Sequence, residues 1–144
     1  MSKSVDPKTG LVIHNPSDMF DPAPLAFSHL AVAPPGAQAV WVAGQSGGAD
    51  KGDFADQTRV ALSSIATAMQ AAGGDINGVA KITVYIVDHN REKHRVLIKA
   101  VKAVFKNRLA PACTIVPLQQ LGTDPKMLVE IEAFGIVPPR KSET

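Results

Sequence analysis

Two glutamates near the end of the chain lie inside a run of residues typical of a β-strand. Glu130 and Glu132 are two positions apart in Met-Leu-Val-Glu-Ile-Glu-Ala-Phe, so in a strand their carboxylates project from the same face. Two carboxylates on a buried face are costly unless they are hydrogen-bonded or functional. On an outer face of an antiparallel sheet they are simply solvated. The residues alone leave both interpretations open.

Cys113 is the only cysteine, and it lies in Pro-Ala-Cys-Thr-Ile-Val-Pro-Leu. We predict that this run is the strand next to that of the glutamates, joined to it through a Gly-Thr-Asp-Pro turn. A nucleophilic thiol needs a nearby cation or helix N-terminus to lower its pKa, and neighbouring carboxylates act in the opposite direction. The residues therefore favour a small buried hydrophobe. A lone cysteine also excludes an intrachain disulfide and a thiolate cluster for a metal.

The other residue patterns give weaker indications of a catalytic or binding site. The four histidines, at positions 14, 29, 89 and 94, show no i, i+4 spacing and no His-Glu-x-x-His pattern, so no metal site is expected. Residues 44–48 match Gly-x-Ser-x-Gly, but several residues separate Ser46 from the next predicted helix, which favours a chance match. The same glycines are able to present backbone N–H groups to an anion, although such loops are more often only flexible.

The first part of the chain is predicted to be mostly extended. Leu11–His14 follows a turn and is expected to form an edge strand. The runs 25–32 and 38–45 are expected to pair as a hairpin across the turn Pro34-Pro35-Gly36. A mobile glycine-rich loop is expected to follow, up to Gly52.

Two helices and a central strand are predicted next. Asp53 is a suitable cap for a helix of about twenty residues, whose apolar residues recur at helical spacing before a Gly-Gly pair. Lys81–Val87 is rich in β-branched residues and predicts a central strand. Asp88 or Asn90 is suited to cap a second helix, from about 91 to 108. That helix carries one apolar and one cationic stripe.

Composition places limits on the class of protein. With 144 residues, 45% apolar and 19% charged, the chain is expected to form one domain with a single core. The formal charge of +2 gives little attraction to polyanions, so we do not expect nucleic acid as a partner, and we interpret the cationic stripe as a solvated face. No apolar run approaches the roughly 20 residues of a membrane helix, and no secretory signal is evident. We expect a cytoplasmic protein without a membrane partner.

The order of elements predicts an α+β fold, a mixed sheet with two helices packed on one face. No third helix is evident to cover the other face. We therefore expect another copy of the chain to cover it, because symmetric self-association is the common solution.

Several segments together resemble the RidA/YjgF family, also called endoribonuclease L-PSP. The resemblance covers roughly residues 25 to 137, which we take as the core of a single domain spanning 1–144, with an extended segment 1–24 and a flexible tail 138–144. Its motifs are Val42-Ala43-Gly44-Gln45, Gln57-Thr58-Arg59-Val60-Ala61-Leu62, Ala71-Ala72-Gly73-Gly74, Val79-Ala80-Lys81-Ile82-Thr83-Val84-Tyr85, Pro111-Ala112 and Leu128-Val129-Glu130-Ile131-Glu132-Ala133.

The resemblance implies a chorismate-mutase-like fold assembled as a homotrimer, with the sheets in a central barrel and ligand clefts between subunits. It also implies hydrolysis of reactive enamines and imines, such as 2-iminobutanoate, to 2-keto acids and ammonia without a cofactor. In such members an arginine clamps the substrate carboxylate, a backbone N–H of the strand-ending Gly-Gln assists, and the first glutamate of Glu-Ile-Glu handles the water.

Carried over position by position, the resemblance gives matches and departures. Gly44 and Glu130 match, Gln45 after Gly44 is a further substrate-binding candidate, and Asn90 lies in a loop that borders the family's cleft. Cys113 replaces the arginine. The cleft tyrosine appears as Phe27, and the glutamine after it as His29.

These departures predict that turnover of 2-iminobutanoate is weak or absent, because a thiol does not reproduce a guanidinium clamp. The leading hypothesis is a protein that binds a different small molecule in the intersubunit cleft. In the catalytic form of this hypothesis, the protein also hydrolyses that molecule. Glu130 would then be the base toward water and His29 its companion acid, while Cys113 is the third candidate catalytic residue. The alternatives are a non-catalytic ligand-binding or protein-partner module and, more weakly, an endoribonuclease.

Overall fold

The chain folds into two β-sheets and two long helices in a computed structural model, which describes residues 2–48, 52–122 and 124–140. Each strand and helix is defined by its bounds, in chain order: β1 Lys3–Val5, β2 Val12–His14, β3 Leu30–Val32, β4 Gln38–Ser46, α1 Phe54–Ala71, β5 Val79–Val87, α2 Arg91–Val104, β6 Ala112–Leu118 and β7 Val129–Val137. Short 3-10 helices precede β3 and β5, at Ala23–Leu25 and Ile76–Gly78.

The larger sheet has four strands in the order β4-β7-β5-β6. β5 and β6 run parallel, and β7 is antiparallel to both of its neighbours. Both helices pack on one face, where Leu62, Ile65, Ile82, Val84 and Ile131 belong to the main core. The α+β fold with two helices on one face is therefore confirmed, and β5 is an inner strand as its β-branched sequence predicts.

Side-chain caps determine where both helices begin. The Asp53 carboxylate accepts a hydrogen bond from the backbone N–H of Asp56 at 2.9 Å, and the Asn90 side chain accepts from that of Lys93 at 2.8 Å. Asn90 rather than Asp88 is thus the second cap. α2 ends at Val104, four residues before the predicted end.

The strand order corrects one prediction. β6 and β7 are not neighbours, because β5 lies between them. The connection from 119 to 128 is long enough to carry the chain past the edge of β5, so a tight turn does not join the two strands. Cys113 consequently lies two strands away from Glu130.

The predicted hairpin is also wrong. Residues 23–25 form a 3-10 turn that follows Pro22, and only Leu30–Val32 of the predicted first strand is extended. β3 pairs with β2 and β4 pairs with β7, so the two runs lie in different sheets. β2 lies in the middle of the small sheet β1-β2-β3, and it is not an edge strand.

The small sheet covers part of the large sheet's second face. Leu11 and Ile13 pack with Ala80 and Ile136 in a second buried cluster. The N-terminal segment, expected to be mostly extended with one edge strand, therefore contributes two strands and part of the core. The second face remains open farther along, where Trp41 is 76% exposed. Of the expected loop and tail, residues 49–51 and 141–144 lie outside the described part of the chain.

Candidate functional site

Glu130 lies on the sheet face turned away from the helices, half-buried against the backbone of β4. In the register of the sheet it is between Ser46 on β4 and Tyr85 on β5. A β-bulge interrupts β4 at this point and brings Gly44 beside the glutamate. A side chain at Gly44 would overlap the Glu130 carboxylate. Glycine at this position therefore allows the carboxylate to lie against β4, and any larger residue would displace it.

The two glutamates of the pair have different roles. Tyr85 donates its hydroxyl hydrogen to Glu132 at 2.7 Å, and this hydrogen bond, together with burial, raises the pKa of the phenol. Within the described residues, Glu130 makes no hydrogen bond to another side chain. Its carboxylate is thus available to a ligand, whereas that of Glu132 is engaged.

Cys113 lies on the opposite face, in a mainly apolar cavity of about 170 Å³ between β6 and α2. It pairs in register with Ile82, which is fully buried. Burial raises the pKa of the thiol to about 11, and Lys81 opposes that shift only in part. The thiol is therefore protonated at neutral pH. The other side chains that line the cavity come from the segment before β3, from α2 and from β6: Leu25, Ala26, Phe27, His94, Leu97, Ile98, Val101 and Ile115.

Phe27 and His29 lie at the same edge of the sheet as Cys113. The backbone N–H of Ser28 donates to the carbonyl of Pro111 at 3.1 Å and fixes this segment beside β6. The His29 ring lies 5.7 Å from that of Phe27, and its Nε2 is 2.8 Å from the carbonyl oxygen of Phe20. His29 is not among the side chains that line the cavity.

Gln45 and Asn90 lie apart from these groups. The Gln45 amide donates to the carbonyl of Ala43 at 2.9 Å, and its side chain borders an open recess above α1. The Asn90 oxygen caps α2. The structure therefore does not bring either amide to Cys113.

The candidate residues form two groups on opposite faces of one sheet. Adjacent strands lie about 4.8 Å apart, so β7 is roughly 10 Å and β4 roughly 14 Å across the sheet from β6. Glu130 is also displaced along the strands, because it pairs with Tyr85 whereas Cys113 pairs with Ile82. The sheet itself separates the carboxylate from the thiol. A single chain does not place both in one small-molecule site, and a shared cleft requires residues from two copies.

The sequence profile described as Endoribonuclease L-PSP matches residues 21–137. The chain belongs to this family, which is the RidA/YjgF family. A RutC family protein of Pyrococcus horikoshii is 38% identical over 85 residues, which span 59% of this chain and 64% of that protein, less than two thirds of its length.

Solved structures share the fold. The Rid family protein YyfB of Yersinia pestis superposes with a TM-score of 0.78 over 95% of this chain and 100% of its own, at 24% identity. Rv2704 of Mycobacterium tuberculosis, a member of the YjgF/YER057c/UK114 family, superposes with a TM-score of 0.60 at 28% identity, over 88% of this chain and 99% of its own. The fold and the family inferred from the sequence motifs are both confirmed.

Sequence reasoning missed His94 as part of the cavity in this RidA/YjgF chain. One face of α2 carries His94, Leu97, Ile98 and Val101, at i, i+3, i+4 and i+7 spacing. That spacing is visible in the sequence and indicates that His94 shares the face of these apolar residues. Its ring lies 5.8 Å from that of His89, whose Nδ1 is buried without a hydrogen-bond partner in the described residues. Burial, and then the charges of His94 and Lys93, lower the pKa of His89.

Ser46 does not form a nucleophile elbow. It lies in β4 itself, and its hydroxyl oxygen accepts a hydrogen bond from the backbone N–H of Gly48. α1 begins only at Phe54. No group of three or more potential metal ligands occurs in the described ranges, and none of the helices described is long and apolar enough to cross a membrane.

Cys113 is expected to react with iodoacetamide at pH 7 about a hundredfold more slowly than an unperturbed thiol. Raising the pKa from 9.0 to about 11 lowers the thiolate fraction by about that factor. Intact-mass time courses, with N-acetylcysteine as the control thiol, measure the two rates. Stoichiometric labelling as fast as the control would restore the nucleophile interpretation.

Proposed function

We propose that this protein binds a small organic molecule in a cleft between two copies of the chain, without clamping a carboxylate there. The observation that carries the proposal is the protonated thiol of Cys113 in an apolar cavity, at the position where the family resemblance expects an arginine. A guanidinium forms two parallel charge-assisted hydrogen bonds to a carboxylate, whereas a neutral thiol donates at most one weak S–H hydrogen bond and brings no charge.

A 2-imino acid is therefore a poor ligand for this cleft. Burying its carboxylate beside Cys113 without a cationic partner costs several kcal/mol, which corresponds to roughly a thousandfold in affinity. Phe27 adds apolar surface in the cavity. The favoured ligand class is an uncharged small molecule, and for a hydrolase it is an imine or enamine that lacks an adjacent carboxylate.

Glu130 of a second copy is the proposed base toward water. Its carboxylate is half-buried, lies against Gly44, and is not held by another side chain among the described residues. The exposed Trp41, 5.3 Å from the ring of Phe134, supports burial of this face in a homotrimer. The proposal is a cytoplasmic, cofactor-independent imine or enamine deaminase with weak or no activity on 2-iminobutanoate.

The unaltered protein is expected to hydrolyse freshly generated 2-iminobutanoate at a rate close to the uncatalysed background. The physical reason is the missing cation beside the substrate carboxylate. A coupled assay in which an amino-acid oxidase supplies the imine, run beside a family member that has the arginine, measures the difference. Turnover comparable to that of the arginine-bearing member would refute the proposal.

A non-catalytic ligand-binding module is the second candidate. The geometry of His29, the proposed companion acid, favours this candidate. The Nε2 atom of His29 is already hydrogen-bonded to the carbonyl oxygen of Phe20. A binding module would bind uncharged ligands and release them unchanged, so mass spectrometry of incubated ligands separates it from a hydrolase.

A further inference from the structure

A second recess lies beside the end of α2, on the far side of residues 26–27 from the Cys113 cavity. It has a volume of about 330 Å³, which is within the range of small-molecule sites. Three of its lining residues are cations, and the other six are apolar. The cations are Lys102, Lys106 and Arg108, and the apolar residues are Ala23, Ala26, Phe27, Phe105, Leu109 and Ala110.

Arg108 is held rigidly at the wall of this recess. Its guanidinium donates to the carbonyls of Leu109, Asn77 and Val79 at 2.7, 2.5 and 2.9 Å, and it lies 4.8 Å from the centre of the Phe105 ring. A guanidinium has five N–H groups, so two remain after these three hydrogen bonds. Burial lowers its pKa to about 10, which leaves it charged at neutral pH.

None of the three cations forms an ion pair in the part of the chain that is described, although the more distant carboxylates of Asp6 and Asp75 partly offset the effect of burial on the pKa of Arg108. The ion pairs there are Lys8–Asp75 and Arg59–Asp56. Lys102 lies in the last turn of α2, where a cation offsets the helix dipole. That role does not account for Lys106, which follows the helix and lines the recess together with Phe27.

We propose that this recess binds a small amphipathic anion, with Lys102, Lys106 and Arg108 around the anionic group and the partly exposed Phe27 against an apolar body. Aromatic rings favour a flat apolar group, because offset or edge-to-face contacts add to the area that is buried. The anion is a carboxylate or a phosphate monoester, both of which are recognised by Arg and Lys side chains.

This proposal is independent of the proposed function. The recess shares only Ala26 and Phe27 with the Cys113 cavity, and it requires no second copy of the chain. An uncharged ligand in the cleft and an anion in the recess are compatible within one protein. A negative result for one proposal therefore does not contradict the other.

Calorimetric titration with 3-phenylpropanoate tests the recess, with the neutral 3-phenylpropanamide as the matched ligand and 2-phenylethyl phosphate as the phosphate ligand. We expect saturable binding of at least one anion and at least about tenfold weaker binding of the amide, because ion pairing accounts for the difference. The stronger of the two anions identifies the head group.

The double variant Lys102→Gln/Lys106→Gln is expected to lose at least about tenfold in anion affinity. The matched control is Arg95→Gln/Lys99→Gln, which removes two charges of α2 that do not line the recess. Ala110→Phe fills the recess while all its cations remain, and it is expected to abolish binding. Absence of saturable binding of both anions, or equal losses in the two double variants, would overturn the proposal.

Discussion

The variant Cys113→Arg is expected to hydrolyse 2-iminobutanoate at least about a hundredfold faster, in kcat/KM, than the unaltered protein. The new guanidinium would enter the cavity from β6 and hold the substrate carboxylate through two charge-assisted hydrogen bonds, worth about 3 kcal/mol or more. The cavity is already open to a side chain at this position, because Cys113 is among its lining residues. The coupled assay described for the unaltered protein measures the gain.

Cys113→Met is the matched control, since it fills the same cavity with a long uncharged side chain. It is expected to show no gain. Thermal denaturation of both variants establishes that they are folded. An arginine variant that is folded but no more active than the methionine variant would show that position 113 does not reach the substrate carboxylate.

Gln57→Leu is expected to lower the free energy of unfolding by about 3 kcal/mol. The Gln57 side chain is 1% exposed and joins α1 to the loops on either side of it. Its amide donates to the carbonyls of Gly52 and Lys126, both at 3.1 Å, and its oxygen accepts from the backbone N–H of Leu128 at 2.9 Å. Leucine has a similar size but leaves three partly buried backbone groups without these partners.

Urea unfolding followed by circular dichroism measures this loss. Gln70→Leu, an exposed glutamine on the same helix, is the control and is expected to change the free energy of unfolding by less than about 0.5 kcal/mol. Equal effects of the two substitutions would show that the hydrogen bonds of Gln57 do not stabilise the fold.

The helices were predictable because their signals are local. Asp53 and Asn90 cap through backbone groups three residues away, and the apolar spacing of α1 is read within one stretch of sequence. Pairing of strands is not local. β7 lies between β4 and β5, an order that depends on packing of the whole sheet, so neither the adjacency of β6 and β7 nor the early hairpin was correct.

The site was predictable only in part, for the same reason. Alternation along β7 places Glu130 and Glu132 on one face, as the sequence indicates. Which of them is hydrogen-bonded depends on Tyr85, which is 47 residues from its partner Glu132. Gln57 forms hydrogen bonds to groups 69 and 71 residues away, and the motif that contains it does not indicate these partners. The separation of Cys113 from Glu130 by the sheet followed only from the observed strand order.

A cleft shared by two copies of the chain is tested most directly by mixing subunits. The double variant Cys113→Arg/Glu130→Gln has the clamp without the base, and the unaltered protein has the base without the clamp. We predict that each alone is inactive on 2-iminobutanoate, and that co-expressed mixed assemblies, verified by native mass spectrometry, are active. Mixed assemblies as inactive as their parents, beside an active Cys113→Arg single variant, would contradict the two-chain cleft.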